Sequence, residues 1–381
     1  MMFSNRNLLC AGYCMLAAFI LVVMPGCDDV PTFNELTGGE EQQAGQAQRK
    51  IARPKSKPQQ AAKRIVAAKK TDEQVIAEFD EKRPATLTDA DMAELFNVNE
   101  GLDEIESLDL SHSDVSSNGL EGIDKLPNLE KVTVSRGQFI DDAALESIVK
   151  ASTIKDLTLE ATRITGKGLQ HLRSLPNLEV LLIGHTVIRD DDLAALSGLT
   201  NLRELRINNT KITDEGFVHL KSLVALEKFD VSFTPTDGSG FEQLKGLANL
   251  KDINATETDF GRFGFQAIKT HRQLERLTLG TCKIIDDALL LAKGLTKLKH
   301  LHVGQNLISD KGMTVFKSFR DLETLNLYNN RGVSDAGVAN LKNLKNLKNL
   351  NLDGTSCSGK SVEGMKHFVP GVKVKLQGNV Y

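Results

Sequence analysis

The chain has 381 residues, with 47 Lys and Arg against 50 Asp and Glu and a formal net charge of −3. That balance lacks the basic excess of a nucleic-acid binder, so no nucleic-acid partner is expected. Hydrophobic residues at 40% and charged residues at 25% are enough for a packed, water-soluble body, which excludes a wholly disordered or wholly membrane-embedded chain.

After Arg6 no charge appears until Asp28, and residues 8–24 are largely apolar, closing on Met24, Pro25, Gly26 and Cys27. A basic start, an apolar stretch and a small residue before a cysteine describe an export signal, so residues 1–27 stand outside the fold. The Gly26-Cys27 ending resembles the lipobox of bacterial lipoproteins, and that resemblance implies lipidation of Cys27 as the first residue of the mature chain. An uncleaved transmembrane anchor is the alternative, because about 17 apolar residues lie at the lower edge of what spans a bilayer. Both readings predict an exported protein held to the membrane of the cell envelope by its amino-terminal lipid or anchor. Asp28 resembles the residue that retains some lipoproteins at the inner membrane of two-membraned bacteria.

Residues 28–70 predict a disordered tether. The first part is polar and rich in Gly and Gln, and residues 49–70, RKIARPKSKPQQAAKRIVAAKK, carry nine basic residues and no acidic one. Little of this can be buried to offset chain entropy. Near an anionic surface each basic residue would contribute about 1 kcal/mol, so the tether could also bind headgroups or wall polymers. Thr71 and Gln74 then make a capping box that opens a short helical connector at 71–85.

From about residue 105 the chain repeats. Leu178, Leu202, Leu226, Leu250, Leu274, Leu298 and Leu322 follow at intervals of 24 residues. In LRELRINNTKITDEGFVHLKSLVA (202–225), Leu205 and Ile207 alternate as in a strand, while Phe217, Leu220 and Leu223 recur every three residues along one helical face. Each unit is therefore strand, turn and short helix. Further units open at Ile105, Leu129, Ile154 and Leu347, with single-residue insertions near Ser152 and Gly332, which makes eleven units over 105–371. Residues 87–102 match the helical half of a unit, so 86–104 form an amino-terminal cap. Val372, Val374 and Leu376 predict a closing strand at 372–381.

Leu298, Leu301, Val303, Asn306 and Ile308, and likewise Leu274, Leu277, Leu279, Cys282 and Ile284, follow the spacing of the leucine-rich repeat, and the chain resembles that family over residues 86–381. The T-x-I-T-D-x-G segment at 210–216 is similar to the short-helix, ribonuclease-inhibitor-like and F-box-type repeats found in bacterial, planctomycete-type proteins. The resemblance implies an α/β solenoid: a curved horseshoe with a parallel sheet on the concave face and short helices on the convex face. It also places the ninth residue of each unit (Thr162, Thr186, Thr210, Thr234, Thr258, Cys282, Asn306, Asn330, Thr355) in the turn after the strand. There a side chain satisfies freed backbone groups.

Thr213-Asp214, Ser309-Asp310 and Ser334-Asp335, with Asp141-Asp142, Asp286-Asp287 and the aspartates at 190–192, stand where helices begin. Capping explains them, with a calcium site as the sharper alternative. Gly168, Gly216, Gly240, Gly264, Gly312 and Gly337 recur just inside the helices and predict close approach of neighbouring units. Cys282 and Cys357, three units apart, are expected as free thiols in the core.

With the fourth and sixth positions inward, the third, fifth and seventh face out on the concave sheet. Their mixed charge suits a polypeptide better than a phosphate backbone. Val180 and Leu182, with Phe233 at the edge, are candidate apolar anchors. Arg206, Arg276 and Tyr328 are of the types enriched in binding hot spots, and Asp230 and Asn326 complete the predicted face. His300 and His302 are the one pair with metal or catalytic potential, two residues apart on one face; neither Arg276 nor Asn326 nearby is a good third ligand.

The expected function is non-enzymatic: a monomeric, tethered scaffold that binds a protein or peptide on its concave face, with no cofactor. A structural link between membrane and wall through the basic tether is one alternative. A metal-dependent enzyme at His300 and His302 is another.

Overall fold

The structure, a computed structural model, describes residues 70–381. The export signal, Cys27, Asp28 and the tether up to residue 69 lie outside the described residues. No helix among the described residues is long and apolar enough to cross a membrane.

Each 24-residue unit places one three-residue strand at its third to fifth positions. In chain order these are β1 Ser107–Asp109, β2 Lys131–Thr133, β3 Asp156–Thr158, β4 Val180–Leu182, β5 Glu204–Arg206 and β6 Lys228–Asp230. Then come β7 Asp252–Asn254, β8 Arg276–Thr278, β9 His300–His302, β10 Thr324–Asn326 and β11 Asn349–Asn351, followed by β12 Lys373–Leu376 and β13 Asn379–Val380. They form one 13-stranded sheet in sequence order. All pairs are parallel except β12 with β13, a closing hairpin beyond the single strand expected there. Identical units leave identical edges, so each strand meets the next in constant register: Leu181, Leu205, Phe229 and Ile253 stand side by side. The insertions lengthen two connections and leave that register intact, as Val132 with Leu157 and Leu325 with Leu350 show.

The return half of several units is a 3-10 helix, as in Asp190–Leu196, Asp214–Leu220 and Gly312–Ser318. The three-residue spacing of Phe217, Leu220 and Leu223 is the period of that helix, in which i and i+3 align and bury together. Strands stack about 4.8 Å apart and helices are wider, so the array bends with the sheet inside. The buried faces join into one continuous core. In its middle Phe217, Phe229, Phe241, Phe260 and Phe265 form a chain of edge-to-face rings with centroids 5.2–5.6 Å apart. At the amino end the helix Asp89–Leu95 buries Met92 and Leu95. The helix Asp72–Glu81, capped by Thr71 and Gln74, packs Val75, Ile76 and Phe79 against the core.

Position eight of every unit is left-handed: φ lies between 51° and 61° from His112 to Asn329, and only the last unit uses glycine there, Gly354. A left-handed non-glycine residue costs about 1–2 kcal/mol. The conformation is held because each such N–H extends the sheet ladder, as when Phe233 N–H donates to the Thr256 carbonyl at 2.8 Å. At position nine the expected ladder is present in two forms. Thr210 Oγ1 donates to the Ile207 carbonyl of its own unit at 2.7 Å. Asn306 instead spans two units: its Nδ2 donates to the carbonyls of Leu279 and Val303, and its Oδ1 accepts from the N–H groups of Cys282 and Ile284. Cys282 and Cys357 are buried free thiols, and burial pushes the Cys282 thiol up to about 11.

The aspartates at the helix starts do more than cap their own helix. Asp190 accepts from both the N–H and the hydroxyl of Thr213 in the next unit, each at 2.7 Å, while Thr213 Oγ1 accepts from Glu215 N–H. Asp142 with Thr165, Asp286 with Ser309, Asp310 with Ser334 and Asp335 with Ser358 repeat the arrangement. At these junctions the carboxylate oxygens that a calcium ion would need are thus engaged by N–H and O–H donors. Glycine makes the approach possible, because a Cβ on Gly216 would lie 2.6 Å from Asp190 Oδ1.

Candidate recognition face

The sheet lays its third and fifth positions in two rows across the strands. Every side chain in them from β1 to β12 is exposed or half-exposed, apart from Thr158. Register places Leu182, Arg206 and Asp230 side by side in the fifth-position row, and further along it His302 beside Asn326. Val180, Arg276 and His300 belong to the third-position row, where Arg276 and His300 are neighbours. The strands end at position five, and position seven already belongs to the turn. Gly184, Ser232, Gly280 and Gly304 there are buried, contrary to the outward setting expected of them.

Val180 and Leu182 are only half-exposed, because rows at strand spacing crowd them between neighbours from β3 and β5. Phe233 is 56% exposed but sits in the left-handed turn beyond β6, off the sheet rows. Tyr328 is exposed at the end of the β10 segment.

The charges of the central strands are spent on one another. Glu204 takes Arg206 at 2.6 Å and Lys228 at 2.9 Å. Burial raises its pKa, but the hydrogen bonds from Lys228 and Arg206 prevail and hold it below the ordinary carboxylate value. Asp230 accepts from Ser232 N–H and Oγ on one oxygen and from Asn254 Nδ2 on the other. Arg276 reaches Asp252 at 3.2 Å, and burial still leaves the Asp252 carboxyl above its usual range. Together these side chains border a shallow hollow of about 260 Å³. The surface expected as mixed is therefore, in its centre, internally neutralised.

His300 and His302 are half-buried, and burial lowers the pKa of both. Their neighbours by register are Arg276 and Thr324, and Thr278 and Asn326, none of which is a strong metal ligand. Among the described residues no cluster of three or more His, Cys, Asp or Glu is placed to hold a metal.

Sequence reasoning missed a second charged row along the sheet border. Position two alternates in sign through Glu130, Lys155, Glu179, Arg203, Glu227, Lys251, Glu275, Lys299, Glu323 and Lys348. Successive members pair, as Arg203 does with both Glu179 and Glu227, and Lys251 with Glu227. The signal was available: the second letter of each unit.

The leucine rich repeat family model matches residues 198–218 and 294–316. No curated protein matches the chain in sequence. Among solved structures, an internalin of Listeria monocytogenes is 21% identical with a TM-score of 0.50, over 80% of this chain and 94% of its own. A chain of the mouse RP105/MD-1 complex is 19% identical with a TM-score of 0.51, over 74% of this chain and 55% of its own. At such identities the likeness is one of fold. Repeat period, strand register and these matches agree: the described chain has the leucine-rich-repeat solenoid fold.

Proposed function

We propose that the protein is a non-enzymatic scaffold that binds a protein or peptide partner on its concave sheet face. The observation carrying this reading is the pair of side-chain rows from β1 to β12 that no other described residue covers, a surface of a dozen strands. At about 4.8 Å per strand it spans roughly 50 Å, ample for an interface of ordinary size. The mouse neighbour was crystallised in complex with another protein, MD-1, which agrees with such a use of the fold. Export and attachment through Cys27 belong to the same proposal and rest on residues 1–27 alone. Labelling with a palmitate analogue, lost on Cys27→Ser, tests the anchor.

Site-specific photo-crosslinking in the native cell tests the face. A photoreactive residue at Arg206 or Arg276 is expected to give protein adducts, and one at exposed Glu215, on the helical side, is not. Adducts from Glu215 alone would overturn the reading.

A further inference from the structure

The fifth-position row changes character along the array. From β5 to β7 its polar groups are satisfied internally, ending with Asn254, whose Nδ2 donates to Asp230 at 2.9 Å. From β9 onward the row is His302, Asn326, Asn351 and Lys375, neighbours in that order, and it contains no carboxylate. Asn326 Oδ1 accepts from Tyr328 N–H at 2.9 Å, and Asn351 Oδ1 accepts from Asp353 N–H at 3.0 Å. These bonds hold each carboxamide by its oxygen and leave the NH2 half for another partner. Neither NH2 group has a partner among the described residues, and neither is sealed from solvent by them.

The flanking groups have the same sense. Burial keeps the His302 ring neutral at pH 7, so it offers one N–H donor. Lys373 adds a cation in the third-position row, and the nearby carboxylate, Asp353, is held by Lys375 at 2.8 Å. The carboxyl-terminal third of the face is thus rich in donors and poor in acceptors, while the centre is neutralised.

We infer that β9 to β12 bind the carboxylates of an extended acidic peptide, with Asn326, Asn351 and Lys373 as donors. This rests on the recognition reading of the sheet face and names its partner's chemistry. A carboxylate accepts several hydrogen bonds at once, so donors recurring about every 4.8 Å let one carboxylate bridge two neighbouring strands. A dense polyanion would call for a row of Lys and Arg. Carboxamide donors beside the exposed ring of Tyr328 fit the sparser charge and apolar spacing of a polypeptide.

The test uses the full chain and fluorescence anisotropy with a short labelled peptide of alternating Glu and Gly, and its Gln-Gly counterpart. The Glu peptide should bind at least about tenfold more tightly than the Gln peptide, by the strength of charge-assisted hydrogen bonds. Asn326→Asp with Asn351→Asp, and separately Lys373→Gln, should each remove that preference at an unchanged thermal midpoint, while Glu215→Gln on the helical side should not. Equal binding of the two peptides would overturn the inference, as would retention of polygalacturonate without either peptide, which would point to an acidic glycan. Crosslinks from Arg206 or Arg276 without any preference for the Glu peptide would sink this inference and leave the sheet-face reading standing.

Discussion

Asp214 and Asp237 meet at a junction where sister units join a carboxylate to a hydroxyl. Asp214 accepts from Asp237 N–H and from Gly240 N–H, each at 2.7 Å, but the side chain facing it is a second carboxyl rather than the Thr or Ser found elsewhere. Burial, and then the Asp237 charge, raise the Asp214 pKa above its ordinary 3.8. Burial acts on Asp237 in the same direction, but hydrogen bonds from Ser239 and Asp214 outweigh it and lower that pKa.

A raised carboxyl binds more protons folded than unfolded, so the contribution of Asp214 is present at low pH and lost as pH rises through its folded pKa. Asp237 contributes in the opposite sense: its contribution is present above 3.8 and lost as pH falls through its lowered folded value. Asp237→Ser restores the hydroxyl clasp and removes the repulsion. Its expected effect is a stabilisation of about 1 kcal/mol at neutral pH that shrinks as Asp214 protonates. Thermal midpoints of both proteins at about pH 7 and about pH 3 check this; a destabilised variant at neutral pH contradicts it.

Two glycines separate packing from intrinsic helix or loop preference. Gly216→Ala would bring a methyl within 2.6 Å of Asp190 Oδ1 and 3.2 Å of Asp190 Cα, breaking the clasp on Thr213. A cost of about 2–3 kcal/mol is expected, as for other overpacked sites. Gly198 has nothing within 4 Å of its added carbon, and Gly198→Ala should be close to neutral. Denaturant midpoints that shift equally for the two variants would remove the argument.

The ninth position allows a graded test. Asn306→Ala strands the N–H groups of Cys282 and Ile284 and the Leu279 carbonyl in a buried site, at about 1–3 kcal/mol for each group left unpaired. Asn306→Thr keeps the local bond that Thr210 makes in its own unit and should lose less. Hydrogen exchange at Cys282 and Ile284 should accelerate in both variants and most in the alanine.

The charged border row should matter little to stability. Glu227 is held below its ordinary 4.5 first by its hydrogen bond from Lys251, then by Arg203. Its contribution is present above 4.5 and lost as pH falls through the lowered value. For an exposed pair this amounts to a few tenths of a kcal/mol. Glu227→Gln should therefore shift the urea midpoint slightly in low salt and much less at about 1 M salt, where the screening length falls to about 3 Å and solvent-exposed charges interact only weakly. A large shift in high salt would show that Glu227 acts through something other than charge.

Much of the architecture was legible because its causes are local and repeated. Leu202, Leu205 and Ile207 mark a strand by alternation, and Phe217, Leu220 and Leu223 mark a helix by spacing. Stacking then follows from the apolar face each unit exposes. Thr210 and Asn306 were legible as a ladder for the same reason. The left-handed residues were not, since His185, Phe233 and Thr281 carry none of the glycine signal that usually marks such a turn. Nor were the half-exposed Val180 and Leu182, whose crowding depends on the strands to either side.

By itself the sequence determined the period, the number of units, the direction of every side chain in a strand and the residues that cap and line each turn. Those depend on bonds within one unit or between identical neighbours. Only the tertiary structure decided which polar groups on the open face remain available. Whether Asn254 or Asn326 is free turns on what stands about 4.8 Å away on the next strand, two dozen residues distant in sequence. There Asn254 has met Asp230, while the amide NH2 of Asn326 meets no acceptor among the described residues.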